Sequence, residues 1–402
     1  MASITLFFSL FCILFNLYHT QSSSISQLSL LLPLTKDHST LQYITNLSYG
    51  TPLVPTNLVL DLGGPLLWLD CASSSSNSLL TIPHRSIQCL TAKSHDFYTH
   101  TWLSNISDYD QQQPCQILPQ NTITGTKAIE GTLVKDLIAL QMGPTKNLLF
   151  SCSSSMLLNG LASGARGMVG LGRSRTSFTS QVFDSFEVQR KITLCLSSSS
   201  GVVSFGNIIP YESEILRSLT FTPLVTNPSQ EYFINVNSIK ISGKKVSFNT
   251  PSLSLTQISS IVPYTTMKSS IYANFESAYL KAALSMNITR VPSVSPFGLC
   301  FRSQQVGSHV PVIDFVLQSE MVKWSIYGRN SMVKISDEVM CLGLLDGGEN
   351  QRNSIVIGGY QLEDVLLQFD FETSMVGFSS SLLMRHTSCS DFKSSSISSQ
   401  SL

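Results

Sequence analysis

The sequence predicts a mostly β protein of two β lobes related by pseudo-twofold symmetry, with a few short helices. Short runs of β-forming residues dominate the 402-residue chain, and glycine, serine, asparagine or proline ends most of them. Apolar residues spaced three and four apart, which indicate helices, appear clearly in only two segments, 176–186 and 269–286. A weak internal repeat then divides the strands into two sets.

The repeat consists of three features that recur in the same order. A strand-like segment ("YITNL", then "YFINV") is followed by a distinctive loop ("LDLGG", then "IVPYT"), and an apolar run with glycine closes each set ("GMVGLG", then "IVIGGY"). The matching segments are 43–47 with 232–236, 60–64 with 261–265, and 167–172 with 355–360. Two matching layouts in one chain predict the pseudo-twofold relation.

The N-terminal segment is typical of a secretory signal peptide. Its apolar run from about Leu6 to Tyr18 carries no charged side chain and is too short to span a bilayer. A serine-rich exit follows, so we assign residues 1–22 to the signal; a buried N-terminal strand is the alternative. No second run is long enough to cross a membrane, and we expect a secreted protein with no membrane partner.

The remaining chain divides at a proline-containing segment. Residues 219–230 are the expected connector between an N-terminal β lobe, 23–218, and a C-terminal β lobe, 231–389. The polar, serine-rich tail at 390–402 is expected to be disordered.

Composition argues against several classes of partner. The 25 lysines and arginines balance 25 acids, so nothing favours binding to nucleic acid or to an anionic membrane surface. Charged residues make up only 12% of the chain, and serine and threonine carry the polar surface instead. This balance suits an extracellular β-rich protein.

Cysteines and sequons agree with secretion. Removal of the signal removes Cys12 and leaves an even number of cysteines, which predicts disulfides formed in an oxidising compartment. None shows the close spacing of a zinc site, so no metal or other cofactor is expected. The spacing alone does not select a pairing. Asn46, Asn105 and Asn287 lie in sequons and are predicted N-glycosylation sites.

Asp61, Gly63, Trp68 and the two glycine-containing motifs together resemble the pepsin-like aspartic proteases, over nearly all of the chain beyond the signal. The resemblance implies a bilobal pepsin-like aspartic protease fold. In that family each lobe supplies an Asp-Thr/Ser-Gly loop, and the two carboxylates share a proton and activate the attacking water.

The sequence departs from that pattern in both loops. Leu62 stands where the first loop needs a hydroxyl residue, and alignment through "SSIVPYTTMKSSIY" predicts that Val262 replaces the second catalytic Asp. The hairpin at 121–140, which corresponds to the flap over the cleft, contains no tyrosine. We therefore predict a protein that is not an enzyme, with no catalytic residue and a vestigial Asp61. A catalytic role for Asp61 with an acid from elsewhere is the alternative.

The degenerate motifs, above all "IVIGGYQLEDVLLQFD", resemble the plant xyloglucanase-specific and xylanase inhibitors and the basic globulins of legume seeds. The resemblance implies a monomeric plant-defence protein of the apoplast or cell wall. Such a protein binds and inhibits a microbial glycoside hydrolase, a cell-wall-degrading endoglycanase such as a xyloglucanase or xylanase. A storage or peptide-binding globulin without a glycanase target is the alternative, and an atypical aspartic endopeptidase ranks behind both.

The same resemblance implies contact residues and disulfides. Arg385 lies where the xyloglucanase inhibitors present a basic residue to the enzyme; an ordinary solvated arginine is the alternative. His309 is the only basic candidate in the loop 305–314, which is shorter than its family counterpart, and an exposed histidine without a role is equally compatible. The implied disulfides are Cys71–Cys152, Cys89–Cys115, Cys195–Cys389 and Cys300–Cys341.

Overall fold

A computed structural model describes most of the chain after the predicted signal segment. The described residues are 30–72, 76–94, 113–140, 144–206, 213–225, 230–248, 253, 255–306 and 309–392. The predicted signal, the sequon at Asn105 and residues 393–402 of the predicted tail lie outside these ranges.

The strands of the first half are mostly short, and burial alternates along several of them because one face of the sheet packs on the core. They are β1 (Leu30–Lys36), β2 (Tyr43–Tyr49), β3 (Val54–Asp61), β4 (Trp68–Asp70), β5 (Leu80–Thr81), β6 (Gly131–Leu140), β7 (Thr145–Ser153), β8 (Ala165–Gly170), β9 (Lys191–Leu196), β10 (Ser200–Phe205) and β11 (Thr220–Pro223). Strand β2 pairs with both β3 and β6, so that β2, β3, β8, β4, β7 and β6 form a closed ring.

The strands of the second half form three smaller sheets and part of the large one. They are β12 (Phe233–Ile234), β13 (Ser238–Ile241), β14 (Lys244–Lys245), β15 (Thr256–Ile258), β16 (Thr265–Met267), β17 (Arg290–Val291), β18 (Cys300–Arg302), β19 (Ile313–Val316), β20 (Lys323–Ile326), β21 (Met332–Lys334), β22 (Val339–Leu342), β23 (Leu344–Asp346), β24 (Ile355–Ile357), β25 (Leu366–Asp370) and β26 (Met375–Phe378).

The helices in the described ranges are mostly short. They are α1 (Ile87–Lys93), α2 (Phe178–Phe186), α3 (Ser213–Arg217), α4 (Ser269–Ser285), α5 (Gly328–Ser331) and α6 (Gly359–Leu362). Helix α2 begins after Ser177, whose hydroxyl accepts a hydrogen bond from the Ser180 N–H at 3.2 Å. Helix α4 buries one face, spaced every three or four residues, as its sequence pattern predicts. None of these helices is long and apolar enough to cross a bilayer.

The internal repeat corresponds to a repeated strand arrangement. In the first half β3 and β8 are parallel, β8 and β4 antiparallel, and β4 and β7 parallel. In the second half β15 and β24, β24 and β16, and β16 and β23 follow the same order with the same directions. The predicted mostly β, bilobal architecture is confirmed.

A continuous run of antiparallel strands joins the two halves. Its order is β11, β26, β25, β9, β10 and β1, so strands from the end of the chain pair with strands from its first half. Strand β11 lies within the predicted connector, 219–230, which is therefore partly a strand of this shared sheet. The sheet crosses the predicted boundary between the lobes.

A buried polar cluster also links the first half to the chain's C-terminal part. Tyr43 is fully buried, and its hydroxyl donates to Glu363 Oε1 at 3.1 Å. The same carboxylate forms an ion pair with Lys36, and both of these side chains are at most 9% exposed. Because a buried charge is costly without a partner, this pairing holds β1, β2 and the segment after α6 in one arrangement.

Four disulfides are present, and they join the pairs that the family resemblance implies. Cys195 on β9 is linked to Cys389, with a sequence separation of 194 residues. Both sulfurs lie in a small apolar cluster with Leu366 and Leu382. This bridge therefore ties the segment after β26 to the shared sheet.

We expect the Cys195→Ala/Cys389→Ala variant to lose about 5 kcal/mol of unfolding free energy in the chain-entropy model, because it opens the longest cross-linked loop. The control is Cys89→Ala/Cys115→Ala, which opens a loop of 26 residues and should lose about 3.5 kcal/mol. Urea denaturation of both variants measures the difference. An equal or larger loss in the control would contradict the loop-length argument.

Candidate functional site

Asp61 ends strand β3 at the centre of the molecule. It lies beside Gly170 of the parallel strand β8, and its carbonyl accepts a hydrogen bond from the Leu171 N–H at 2.8 Å. Gly64 packs against the Asp61 side chain, since a Cβ there would lie 2.9 Å from Oδ2. The glycine leaves the room that the carboxylate occupies.

The Asp61 carboxylate is buried but fully engaged. Its side chain accepts a hydrogen bond from the Gly63 N–H at 3.0 Å on Oδ1 and from the Thr122 hydroxyl at 2.7 Å on Oδ2. Burial raises its pKa to about 6, the Thr122 hydrogen bond opposes this shift, and the nearby charge of Glu231 adds to it. Asp61 therefore binds its proton more tightly than an ordinary aspartate.

The strand register identifies the residue of the second loop that corresponds to Asp61. Val169 on β8 pairs with Leu60, directly before Asp61, and Ile357 on β24 pairs with Ile258 in the same parallel arrangement. The next residue in the second loop is Ser259, whose N–H donates to the Ile357 carbonyl at 3.0 Å. Ser259 thus occupies the position of the second catalytic Asp.

The expectation that Val262 replaces this Asp is wrong in register by three residues. The reason is that β15 ends at Ile258 and the loop then continues through Pro263 and Tyr264 before β16 begins. The Val262 carbonyl instead accepts a hydrogen bond from the Gly359 N–H at 2.8 Å. No carboxylate stands at the second position in either alignment.

Ser260 supplies the hydroxyl that locks the two loops together. Its Oγ accepts a hydrogen bond from the Leu62 N–H at 2.9 Å and donates one to the Leu60 carbonyl at 2.9 Å. Leu62 is completely buried in the apolar core and has no hydroxyl with which to return the contact. Only the second loop therefore supplies a side-chain hydroxyl to this contact between the loops.

The flap is shorter than the predicted hairpin at 121–140. Bridges Gln116↔Thr132 and Gln120↔Lys127 define it, and its tip carries Thr122, the residue bonded to Asp61. Asn121 is fully buried and donates from Nδ2 to the carbonyls of Leu157 and Asn159, at 2.8 and 2.9 Å. Hydrogen bonds therefore hold the flap tip both to the carbonyls of Leu157 and Asn159 and to the Asp61 carboxylate.

Glu231 is the acid that the fold brings to the cleft and that the sequence pattern did not place there. It lines a cavity of about 390 Å³ together with Asp61, Ser259 and Gln257. Its Oε1 accepts a hydrogen bond from Gln257 Nε2 at 2.8 Å. Among the described residues no hydrogen bond joins the Glu231 and Asp61 carboxylates, so the pair lacks the shared proton of a protease dyad.

Arg385 is the last residue of a 3-10 helix, Leu382–Arg385, which His386 ends in the left-handed conformation at φ 56°. Its side chain is exposed and makes no hydrogen bond or ion pair with any described residue. The guanidinium is thus presented to solvent at a fixed turn of the chain.

One buried aspartate holds that turn. The Asp364 carbonyl accepts a hydrogen bond from the Leu382 N–H at 2.7 Å. Its Oδ1 accepts from the Ser388 hydroxyl at 2.8 Å and from the Cys389 N–H at 2.9 Å. Together with the disulfide at Cys389, these bonds fix both ends of the segment that carries Arg385.

The structure places the other predicted sites as follows. His309 is exposed in the described part of the 305–314 loop. Asn46 is half-buried within β2, and its Nδ2 donates to Asn57 Oδ1 on β3 at 3.0 Å. Asn287 is exposed just after α4, with φ 60°. In the described ranges no group of three or more potential metal ligands is present.

Comparisons with known proteins match both halves of the chain. A family model described as "Xylanase inhibitor N-terminal" matches residues 43–207, and one described as "Xylanase inhibitor C-terminal" matches residues 231–380. The chain is 44% identical to "Probable aspartic proteinase GIP2" of Nicotiana benthamiana, over 92% of both chains.

Solved structures with similar sequences share the fold of this chain. The protein titled "edgp" is 41% identical with a TM-score of 0.80, covering 90% of this chain and 97% of its own. Basic 7S globulin from soybean is 33% identical with a TM-score of 0.78, covering 90% of this chain and 98% of its own. The aspartic proteinase from Irpex lacteus, 15% identical with a TM-score of 0.59 over 88% of this chain and 98% of its own, confirms the pepsin-like fold.

We expect Asp61→Asn to gain stability over the parent as the pH rises from about 4 to about 6. The pKa of Asp61 is raised from its ordinary value of 3.8 to about 6, so the folded parent holds an extra proton in this window and loses stability as the proton leaves. Asparagine carries no charge and can still accept from the Gly63 N–H. The difference in unfolding free energy should grow by up to about 3 kcal/mol.

Urea denaturation at pH 4 and pH 7 measures this difference. The control is Asp337→Asn at an exposed aspartate whose pKa Lys334 lowers, so it should show no such gain. A difference between Asp61→Asn and the parent that stays constant between the two pH values would contradict the assignment of a buried, protonated Asp61.

We expect Asn287 to carry N-linked glycan and Asn46 to carry none, because only Asn287 presents a free amide at an exposed helix end. Expression in a secreting eukaryotic host, with Asn287→Gln and Asn46→Gln variants compared by electrophoresis, checks this. Only Asn287→Gln should lower the apparent mass. A mass loss in Asn46→Gln would show that the strand is modified before β2 and β3 pair.

Proposed function

We propose a function on the premise that the chain belongs to the xylanase inhibitor family, whose two models together match most of it. The protein is a secreted, catalytically inactive homologue of pepsin-like aspartic proteases. It binds and inhibits a microbial endoglycanase that degrades plant cell walls, a xyloglucanase or a xylanase, and so serves in plant defence.

The residues of the cleft support the proposal that the protein has no protease activity. Peptide hydrolysis in this fold needs two carboxylates that share one proton, and Ser259 stands where the second would be. The hydroxyl of Thr122 is bonded to Asp61 Oδ2 at 2.7 Å, so this carboxylate oxygen is already engaged. Asn121 pins the flap tip in that position. A substrate chain would have to break these contacts to reach Asp61.

The observation that carries the inhibitor proposal is the unpaired Arg385 on its pinned turn. Glycoside hydrolases hold two carboxylates several ångströms apart in an open groove. A guanidinium forms charge-assisted, often bidentate hydrogen bonds with such groups. Because Asp364 and the Cys195–Cys389 bridge already fix the turn, binding costs little additional ordering of the chain.

Secretion also accounts for the proposed location and glycosylation of the protein. Four disulfides are typical of proteins that fold in an oxidising compartment. The protein then acts as a glycosylated monomer in the apoplast or cell wall, without cofactor. Its lobes are 23–218 and 231–389, with 219–230 between them.

A storage or peptide-binding globulin is the second candidate function. Two observations favour it: the likeness to basic 7S globulin from soybean and the short loop 305–314. The loop offers His309 as its only basic side chain, so a relative with a longer basic loop would hold a glycanase at more points. This candidate predicts no effect on any glycanase.

We expect the purified, glycosylated protein to inhibit either a fungal endo-xyloglucanase or a xylanase at a stoichiometry of one to one, followed as residual activity at pH 5. Arg385→Ala should weaken inhibition by about tenfold or more, because a charged hydrogen bond contributes about 1.5–3 kcal/mol. Arg385→Lys is the matched control, since it keeps the charge but loses bidentate geometry, and should lie between the two.

If the protein inhibits neither the endo-xyloglucanase nor the xylanase, the storage or peptide-binding globulin becomes the favoured function. Equal inhibition by Arg385→Ala and the parent would instead remove Arg385 from the contact while leaving the inhibitor proposal in place. Because Arg385 is exposed and unpaired, the thermal unfolding midpoints of all three proteins should agree.

A further inference from the structure

A surface cavity of about 600 Å³ lies between the two predicted contact segments, the loop 305–314 and the 3-10 helix Leu382–Arg385. Val306, in the loop 305–314, forms one side of it. Leu383 and Met384, in the 3-10 helix that ends at Arg385, form another. Two segments far apart in sequence therefore border one cavity, and Arg385 directly follows its wall.

The cavity is lined by apolar and sulfur-containing side chains. Met332, Met340 and Met384 contribute three thioethers, and Tyr327 contributes an aromatic ring. Met384 is 61% exposed, so its side chain is accessible to a partner. Methionine adapts its shape to a partner and makes favourable contacts with aromatic rings. No acidic side chain is among the described residues that line this methionine pocket.

Arg329 supplies a second cation at the pocket. It lies on helix α5, is exposed, and makes no hydrogen bond or ion pair with any described residue. The helix itself is fixed, because Asn330 Nδ2 donates to the Glu363 carbonyl at 2.6 Å and the Ser331 carbonyl accepts from the Gly343 N–H at 2.7 Å. Arg329 thus lines the methionine pocket, while Arg385 follows Met384 of its wall, and hydrogen bonds hold both elements in place.

We propose that the methionine pocket receives an aromatic side chain from the rim of the glycanase's substrate cleft, with Arg329 as a second cationic contact beside Arg385. This inference rests on the proposed function. Substrate clefts are lined mainly by apolar and aromatic side chains, and those of glycoside hydrolases also carry carboxylates. A mostly apolar pocket lined by the Arg329 guanidinium, with Arg385 next in the chain to Met384 of its wall and no acid among its described lining residues, is complementary to both features.

The physical gain comes from three contacts made at once. The ring buries apolar area against Met332, Met340 and Met384, and removal of that area from water favours binding. Its face or edge lies against sulfur atoms, and the Arg329 guanidinium can stack over it. A second copy of this chain is a poorer occupant, because it would bring the same two cations against Arg329 and Arg385.

The test uses whichever glycanase the parent protein inhibits. Met384→Asp places a charge in the pocket mouth, and Arg329→Glu reverses the second cation. Each should raise the Kd, measured by titration calorimetry, by about tenfold or more. Met384→Leu and Arg329→Lys are the matched controls and should stay within about threefold. Both positions are exposed, so equal thermal unfolding midpoints will show that the fold is intact.

A second readout tests for the aromatic ring itself. In protein labelled with ¹³C at the methionine methyl groups, saturating glycanase should shift the Met384 methyl signal upfield through the ring current. The shift should also reach Met332 or Met340, and Met384→Leu assigns the signal. Met321, 90% exposed and absent from the pocket lining, is the internal control and should not move.

The outcomes separate this inference from the proposed function. If the parent inhibits and Arg385→Ala does not, while the pocket variants bind like the parent and no methyl signal shifts, the pocket proposal is overturned and the inhibitor function stands. If the parent inhibits no glycanase, both fall together. If Met384→Asp instead abolishes self-association in sedimentation runs, the pocket's occupant is a second copy and the proposal is overturned.

Discussion

The Ser260 hydroxyl joins the two lobes at the floor of the cleft, and the geometry of the centre depends on it. It accepts from the Leu62 N–H and donates to the Leu60 carbonyl, so one buried side chain satisfies two backbone groups of the other lobe. A buried backbone group left without a partner costs about 1–3 kcal/mol. Because Leu62 returns no bond, the joint is held from one side only. The Thr122 hydroxyl of the flap is in turn bonded to the Asp61 carboxylate.

Two consecutive residues, Glu363 and Asp364, connect the first half of the chain to the surface elements that carry Arg329 and Arg385. The Glu363 side chain accepts from Tyr43 in the first half of the chain, while its carbonyl accepts from Asn330 on the helix that carries Arg329. The next residue, Asp364, bonds both ends of the turn that carries Arg385. One short segment therefore fixes the lobe contact and both candidate cationic contacts. In this way the scaffold presents side chains at fixed positions, as the proposed inhibitor function requires.

The sequence predicted what depends on local pattern and could not predict what depends on register. Strand runs, helix α4 and the paired lobes follow from periodicity and repetition, and the family motifs implied the disulfides. The second loop was misaligned at Val262 because only the β15–β24 pairing shows that Ser259 is the counterpart of Asp61. The sequence pattern does not place Glu231 or Thr122 at the site, for a related reason. Each lies far from Asp61 along the chain, and only the folded sheet brings it to the carboxylate.

Under the proposed function, Arg329 offers a contact to an acidic cleft that does not depend on the length of the 305–314 loop. An arginine on a long loop must lose the freedom of the loop and of its own side chain when it binds, and each immobilised side chain costs about 0.5–1.5 kcal/mol. Arg329 lies on helix α5, where Asn330 and Ser331 already form hydrogen bonds with Glu363 and Gly343. Only the side chain of Arg329 therefore remains to be ordered on binding. A cation on a helix held by hydrogen bonds therefore provides charge complementarity at a lower entropic cost than one on a long loop. A short 305–314 loop is then compatible with inhibition of a glycanase whose acidic groups lie within reach of helix α5.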